Sequence, residues 1–573
     1  MKKLKKGNRR VLHIAVIALL LFSVLLQTAC SNEELVEAVT TAITEATTTA
    51  SSSEEEDIGT PKQYKTIFNS DTTHIMQCAS TYHATNSDVP LTKKMVESAV
   101  TEALDAGADC YVITPGHCWV PWWPSEYISE HADWYFNTLG GQNASNPFYT
   151  YVHVKGQDFI QQQIDVCRKN GAGVFIDFRL NDAHMVQKIT PETANIAFAA
   201  EIFVDHPEYK IGSMSSGRNE QVLDFTYEAV REHKLKYIKE LIENYEIDGF
   251  ELDFCRRFAY FNTDKTSEAR RIQIMTDFVA EVRSYLDEAT AKDGRYRHLS
   301  VRIPIWDDYY SDMGISLEKF EEAGVTIFNF TSSYFMDQDF NLKELAEPIK
   351  DAYVYCELHF ITAVDYEDNG KRIHRRSTVE QFYTTALQAY EQGADGISFF
   401  NFQYYRGDRQ GTGDEPLTEP PWEVISNVES LDFLKKQAQY YYFGQSWGDM
   451  INKNWKITTS NNTLRMNVAR DFSMYLVAPE GGWTTDGVFR LQSLNDISDR
   501  TFTITVNGTV LQATAYTGEA YQNEYTQMIG EAENYSCFTV PKSILKEGKN
   551  EIKVTLTGGP TTVGICFVDL TIK

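Results

Sequence analysis

Four carboxylates and two arginines fall in short apolar stretches, where their charge needs a chemical reason. Between Tyr245 and Phe258 the sequence reads YEIDGFELDFCRRF. Ile247 to Phe254 alternates like a buried strand with one polar face. Phe250, Leu252 and Phe254 take one side, Glu251 and Asp253 the other. The same rule applied to VFIDFRLN turns Asp177, Arg179 and Asn181 inward, and YVYCELHF does so for Tyr355, Glu357 and His359. A stretch from His298 adds Arg302. Buried charge is expensive unless it is paired, hydrogen-bonded or useful. Two carboxyl groups facing each other across a cavity can protonate a leaving oxygen and supply a nucleophile or base, which is what glycosidic cleavage requires. Asp253 and Glu357 are the candidate pair, Glu357 as nucleophile and Asp253 as general acid/base. Inward residues two apart are separated by ~6.6 Å, twice the rise of ~3.3 Å per residue. Asp253 therefore stands nearer the mouth, and Glu251 tunes its neighbour's pKa from below. Asp177 is a candidate for sugar-hydroxyl contacts, Arg179 and Arg302 for positioning. Arg256, just past the strand, is placed to bind a carboxylate or orient Asp253. A buried ionic network tying strands together is the alternative for any single member. For the set it is weaker, because such networks stabilise little and barrel interiors are normally aliphatic.

The elements that must carry these groups repeat one theme from residue 62 to residue 446: strand, loop, amphipathic helix. Strands are expected at His74–Ser80, Asp109–Gly116, Gly173–Asn181, Ile247–Phe254, His298–Ile305, Val325–Ser333, Tyr353–Phe360 and Gly396–Tyr404. Helical patterns lie between them, clearest at Lys93–Ala106, Asp158–Asn170, Phe225–Tyr245, Ser267–Ala291, Leu342–Lys350 and Val379–Gln392. Eight such units make a (β/α)8 TIM barrel, with strand four opposite strand seven. An open doubly wound sheet is disfavoured because no glycine-rich phosphate loop follows the first strand. Two connections, 117–155 and 182–216, exceed ordinary loop length and should wall the strand-end face. The first carries His117, Trp119 and Trp122, which either contact and stack on sugar rings or pack the insertion. His359 and Asn401 are further candidate contacts.

Composition narrows the class. A net charge of −27 over 573 residues argues against nucleic acid, whose binding rests on Lys and Arg. Residues 1–30 read as a targeting segment, with a basic start, an apolar stretch Val11 to Leu26, and Ala29 before Cys30. That end resembles the bacterial lipoprotein processing site, which implies a lipidated Cys30 and an extracytoplasmic protein anchored to the cell membrane. An uncleaved signal anchor is the alternative. Residues 31–61, rich in Ser, Thr and Glu, read as a flexible tether. From 447 to 573, alternation and turn signals replace helical patterning, as in an all-β jelly roll or sandwich. No CxxC or His/Cys ligand spacing supports a metal, and no Walker loop or HExxH is present. No cofactor is expected. A Cys537–Cys566 bridge is left open, as is the oligomeric state.

The run Leu223 to Phe258 resembles the bacterial glycosyl-hydrolase-like proteins called family-10-like, barrels with a DG-x-x-LD fourth strand matched here by Asp248, Gly249, Leu252 and Asp253. The resemblance implies glycosidase-type activity on an oligo- or polysaccharide, with Asp253 at the acidic position. The strand also resembles the chitinase signature DGxDxDxE, but Glu251 replaces its middle Asp and Cys255 its catalytic Glu, so chitinase chemistry is not expected. The C-terminal TITVNG and PKSILKEGKNEIKVTLT resemble galactose-binding-like jelly rolls. Two functions follow: a surface-anchored glycoside hydrolase, or a non-catalytic glycan-binding lipoprotein on a barrel scaffold. An Asp253–Glu357 separation of ~5–10 Å across an open cleft favours the first. A pair sealed and salt-bridged to arginine favours the second.

Overall fold

The protein is described from a computed structural model, over residues 61–78, 90–116, 121–128, 148, 150–182, 201–255, 257–366, 372–406, 419–446, 456–458, 460–516, 518 and 530–573. The expected leader, Cys30 and the tether lie outside the described residues, as do His117, Trp119 and Arg256.

Eight parallel strands close into a barrel: β1 (Thr66–Asp71), β2 (Cys110–Thr114), β3 (Gly173–Arg179), β4 (Gly249–Asp253), β5 (His298–Pro304), β6 (Ile327–Thr331), β7 (Tyr353–His359) and β8 (Gly396–Phe400). Each pairs with its sequence neighbours, and Thr66 of β1 opposite Ile397 of β8 completes the ring. The helices that follow the strands include α1 (Lys93–Asp105), α2 (Phe159–Asn170), α3 (Glu228–Asn244), α4 (Glu268–Asp293), α5 (Leu317–Glu322), α6 (Leu342–Leu345) and α7 (Val379–Glu391). Their caps are legible. Asp158 accepts from the Gln161 amide at the start of α2, and Thr378 and Gln381 form a capping box on α7. Gly171 ends α2 at φ 71°, a conformation open to glycine without strain.

The expected first strand is corrected. His74–Gln77 is one helical turn, and β1 is Thr66–Asp71 upstream. The apolar Ile-Met pair at 75–76 mimicked a strand, whereas TIFNSD carries its polar residues at the end that opens on the mouth. α6 is likewise a single turn rather than a helix to Lys350.

Inside the barrel, Tyr64, Ile67, Cys110, Val112, Phe175, Ile327 and Tyr355 form an apolar plug. The polar inward residues lie beyond it, toward the strand ends. Apolar filling therefore occupies only part of the interior.

The C-terminal region is a sandwich of antiparallel sheets. One runs in the order Gln439–Gly444, Phe567–Ile572, Gly487–Gln492, Tyr535–Val540, Gln512–Thr514, and the other Ala469–Leu476, Gly548–Gly558, Thr501–Val506, Thr509–Val510. Their inner faces share one apolar core containing Phe443, Phe472, Phe489, Ile504 and Val554. Gln439–Gly444 precedes residue 447, so chain assigned to the barrel supplies this sandwich's first strand. Cys537 and Cys566 are both buried.

Barrel and sandwich meet where Gly444 crosses the hairpin that follows β7 (Ile361–Tyr366 with Arg372–Arg376). The Val364 amide donates to the Gln445 carbonyl at 2.8 Å, and a Cβ on Gly444 would overlap the Thr362 carbonyl oxygen. Backbone cannot give way as a side-chain tip does. Gly444→Ala is expected to destabilise by about 1–3 kcal/mol, the usual cost of overpacking, and to lower the melting temperature. An unchanged melt would show that the junction is looser than described.

Candidate active site

Register brings the polar residues into two layers. The lower one holds Asp177 of β3, Glu251 of β4 and Ser300 of β5, which are successive cross-strand partners. The upper one holds Arg179, Asp253, Arg302 and Asn329 in the same relation. Glu357 of β7 stands opposite Ser398 of β8.

Arg302 connects them. Its Nε donates to Glu357 Oε2 at 2.8 Å and its Nη2 to Oε1 at 2.6 Å, a two-pronged grip. Its Nη1 donates to Asp253 Oδ1 at 3.1 Å. The guanidinium lies 4.1 Å over the Phe400 ring. Arg179 makes a second bridge: Nη2 to Asp71 Oδ2 at 2.9 Å, Nη1 to Asp182 Oδ2 at 3.5 Å, and Nε 3.8 Å from Asp253 Oδ2. Asp253 thus stands between two arginines and also accepts the Cys255 amide at 2.7 Å. It is 1% exposed, and Glu357 3%.

Below, Glu251 accepts from Asn69 Nδ2 at 2.7 Å and Ser300 Oγ at 2.7 Å. Asn329 Nδ2 reaches both Glu251 (3.3 Å) and Glu357 (3.5 Å), while Ser398 Oγ donates to its oxygen at 2.6 Å. Asp177 accepts from Thr114 Oγ1 at 2.8 Å through Oδ2, and its Oδ1 is buried without a hydrogen bond.

This arrangement drives the carboxyl groups apart in acidity. Burial raises Glu251 to about 7, with the Ser300 hydrogen bond opposing and the Glu357 charge adding. Burial, then the Asp253 and Glu251 charges, raises Asp177 well above the carboxylate range. Burial pushes Glu357 up too, but the Arg302 charge and hydrogen bonds from Arg302 and His359 override it and hold the group at about 2. Burial lowers His359, which keeps it neutral.

The sequence candidates therefore divide. Asp177, Arg179, Glu251, Asp253, Arg302, Glu357 and His359 converge inside the barrel. Glu357, the expected nucleophile, has both oxygens engaged by Arg302, Thr331 and Asn329. Asn181 is also not placed to meet a ligand. It donates to the Leu223 and Ala259 carbonyls and accepts the Leu223 amide, pinning two loops. Trp122 is 3% exposed and stacks on Phe148 at 5.3 Å, so it packs the insertion. Asn401, at φ 55°, accepts the Asp71 amide at 3.2 Å. Asp71 and Asp182 were missed. Asp71 closes the misplaced first strand, and Asp182 lies one residue past the assigned third. Among the described residues, no group of three or more His, Cys, Asp or Glu is arranged to hold a metal.

No family model matches the sequence and no curated protein does. The likeness of β4 to the family-10-like barrels therefore rests on Asp248, Gly249, Leu252 and Asp253. Among solved structures, the chain is similar to an alpha-L-fucosidase GH29 from Bacteroides thetaiotaomicron (11% identity, 86% of this chain and 92% of that one, TM-score 0.34). It is similar also to an alpha-amylase from Geobacillus thermoleovorans (10%, 86% and 98%, TM-score 0.35) and a family GH18 chitinase from Chromobacterium violaceum (10%, 71% and 79%, TM-score 0.32). What each of those proteins acts on belongs to it alone.

The raised Glu251 carboxyl has a consequence for stability. Below about pH 4.5 it is protonated in folded and unfolded chains alike; between 4.5 and about 7 only the unfolded chain ionises it. Its contribution is thus complete in acid and lost as pH rises through about 7. Glu251→Gln is expected to flatten the fall in urea midpoint between pH 5 and 7. Parallel wild-type and variant curves would place the proton elsewhere.

Proposed function

We propose that this chain is a glycoside hydrolase acting on an oligo- or polysaccharide, with Asp253 as the carboxylate that meets substrate. The observation that carries this is the division in acidity among three carboxyl groups that share one barrel with Asp253. Glu251 and Asp177 are held toward the protonated form, and Glu357 is held ionised by Arg302. Carboxyl groups whose environments push their acidities apart are what acid/base chemistry at neutral pH requires. In this reading Glu357 aims Arg302, and Arg302 aims Asp253. Asp177, which feels the Asp253 charge and has one oxygen unbonded, is the proton carrier. The lipid anchor at Cys30, supported by the sequence alone, would hold the enzyme at the outer face of the cell membrane.

A specific observation favours a second reading. Asp253 and Glu357 share Arg302 and are both buried, which is how a binding scaffold without turnover would hold them.

One experiment separates the two. On a panel of neutral and acidic glycans, wild type is expected to hydrolyse at least one. Asp253→Asn should lose about 10²–10⁴-fold in rate, the span of a general acid/base, with glycan binding retained. Glu357→Gln should lose less, because its part is indirect. Wild-type activity in Asp253→Asn would reject the assignment, and saturable binding with no turnover in wild type would establish the second reading.

A further inference from the structure

A cleft of about 810 Å³ lies between the barrel and the sandwich, within the size range of small-ligand sites and in the domain-junction position where such sites concentrate. Much of its barrel wall follows β5 and β6 on the strand-end side. Ile305 and Trp306 follow β5, Leu317 opens α5, and Gln338 to Asn341 lead into α6. Its other wall is set by alternation. In Ala469–Leu476, Phe472, Met474 and Leu476 point into the sandwich core, which turns Ser473 and Tyr475 outward into the cleft. Lys549, the cross-strand partner of Tyr475, extends the same face.

The walls are fixed. Gln338 Nε2 donates to the Tyr440 carbonyl at 3.1 Å, and its oxygen accepts the Tyr442 amide at 3.0 Å, tying the barrel loop to the sandwich's first strand. Gln388 of α7 donates to the Tyr475 carbonyl at 2.6 Å. Trp306 Nε1 donates to the Asp339 carbonyl at 3.3 Å. The cleft is therefore a preformed feature.

Its chemistry suits a polyhydroxylated ligand without negative charge. Tyr475 offers apolar ring surface, backed by the largely buried rings of Trp306 and Phe340, and the surrounding carboxylates and amides can accept from hydroxyl groups. Five carboxylates (Asp307, Asp308, Glu318, Asp339, Glu344) face two lysines, one of which, Lys456, already pairs with Asp339 at 3.5 Å. That balance repels an anionic chain. Trp306 stands four residues beyond Arg302 on the run that leaves β5, so a chain seated here lies on the rim from which the barrel interior opens.

We propose that this cleft is an outer binding site for a neutral oligosaccharide, walled jointly by barrel and sandwich. The choice of a glycan over a basic peptide rests on the hydrolase or glycan-binding reading of the barrel; the site itself does not depend on turnover.

The test is calorimetry on the full chain carrying Asp253→Asn, which prevents consumption of the probe. The probes are neutral hexasaccharides (gluco-, xylo-, manno- and chito-series), hexagalacturonate and pentalysine. At least one neutral hexasaccharide should bind, with hexagalacturonate weaker. Tyr475→Ala should cost about tenfold or more in Kd, the scale of a lost aromatic anchor. Ser473→Trp, which fills the cleft from an already half-exposed position, should cost as much and covers the case in which Tyr475→Ala misfolds. Unchanged affinity in both variants, no binding by any neutral probe, or tighter binding of pentalysine would overturn the proposal. No turnover by wild type, with cleft binding intact, would count against the barrel chemistry alone.

Discussion

Arg302 is buried at the centre of the barrel, 2% exposed, with its nitrogens spread over Glu357, Asp253 and Thr331 and its plane on Phe400. Desolvating a guanidinium costs several kcal/mol, which attraction repays only when geometry is good and remaining donors are satisfied. Here a two-pronged carboxylate, a second carboxylate and a hydroxyl meet those conditions. Arg302 commits Glu357 as an anion. Glu251 and Asp177 keep their protons chiefly because burial disfavours their charged forms, with neighbouring carboxylates adding to it. Asp253 stands between Arg302 and Arg179.

Much of this was legible in the sequence because parallel strands alternate strictly. Once β3, β4, β5 and β7 were recognised, Asp177, Arg179, Glu251, Asp253, Arg302, Glu357 and His359 had to share an interior. What could not be read was which acid would take which cation, since that depends on register and rotamer. Glu357, chosen for standing opposite Asp253, reaches the same guanidinium and so becomes its anchor. The first strand was misread because Ile75 and Met76 carried the stronger apolar signal, and with it Asp71 was lost. Strand eight, Gly396–Phe400, ends in two phenylalanines, and Ser398, whose hydroxyl holds Asn329, was not singled out. Trp122 was ambiguous for a different reason: stacking on Phe148 and stacking on a sugar demand the same side chain.

The sandwich is built into the barrel rather than appended to it. Its first strand, Gln439–Gly444, runs against the hairpin after β7, with Gly444 where a side chain cannot fit and Gln338 bonded to two of its backbone groups. The strand-end face of the barrel thereby gains a second wall, and the rim near β5 and β6 becomes a cleft rather than an open surface.

The dependence of the site on Arg302 is tested most directly by a double-mutant cycle with Arg302→Met and Glu357→Met, read as unfolding free energy in urea. Each single change strands a buried charge and is expected to cost about 3–5 kcal/mol. The double variant, which removes both members of the pair, should cost well below their sum. Additivity within about 0.5 kcal/mol, the behaviour of independent sites, would contradict the account.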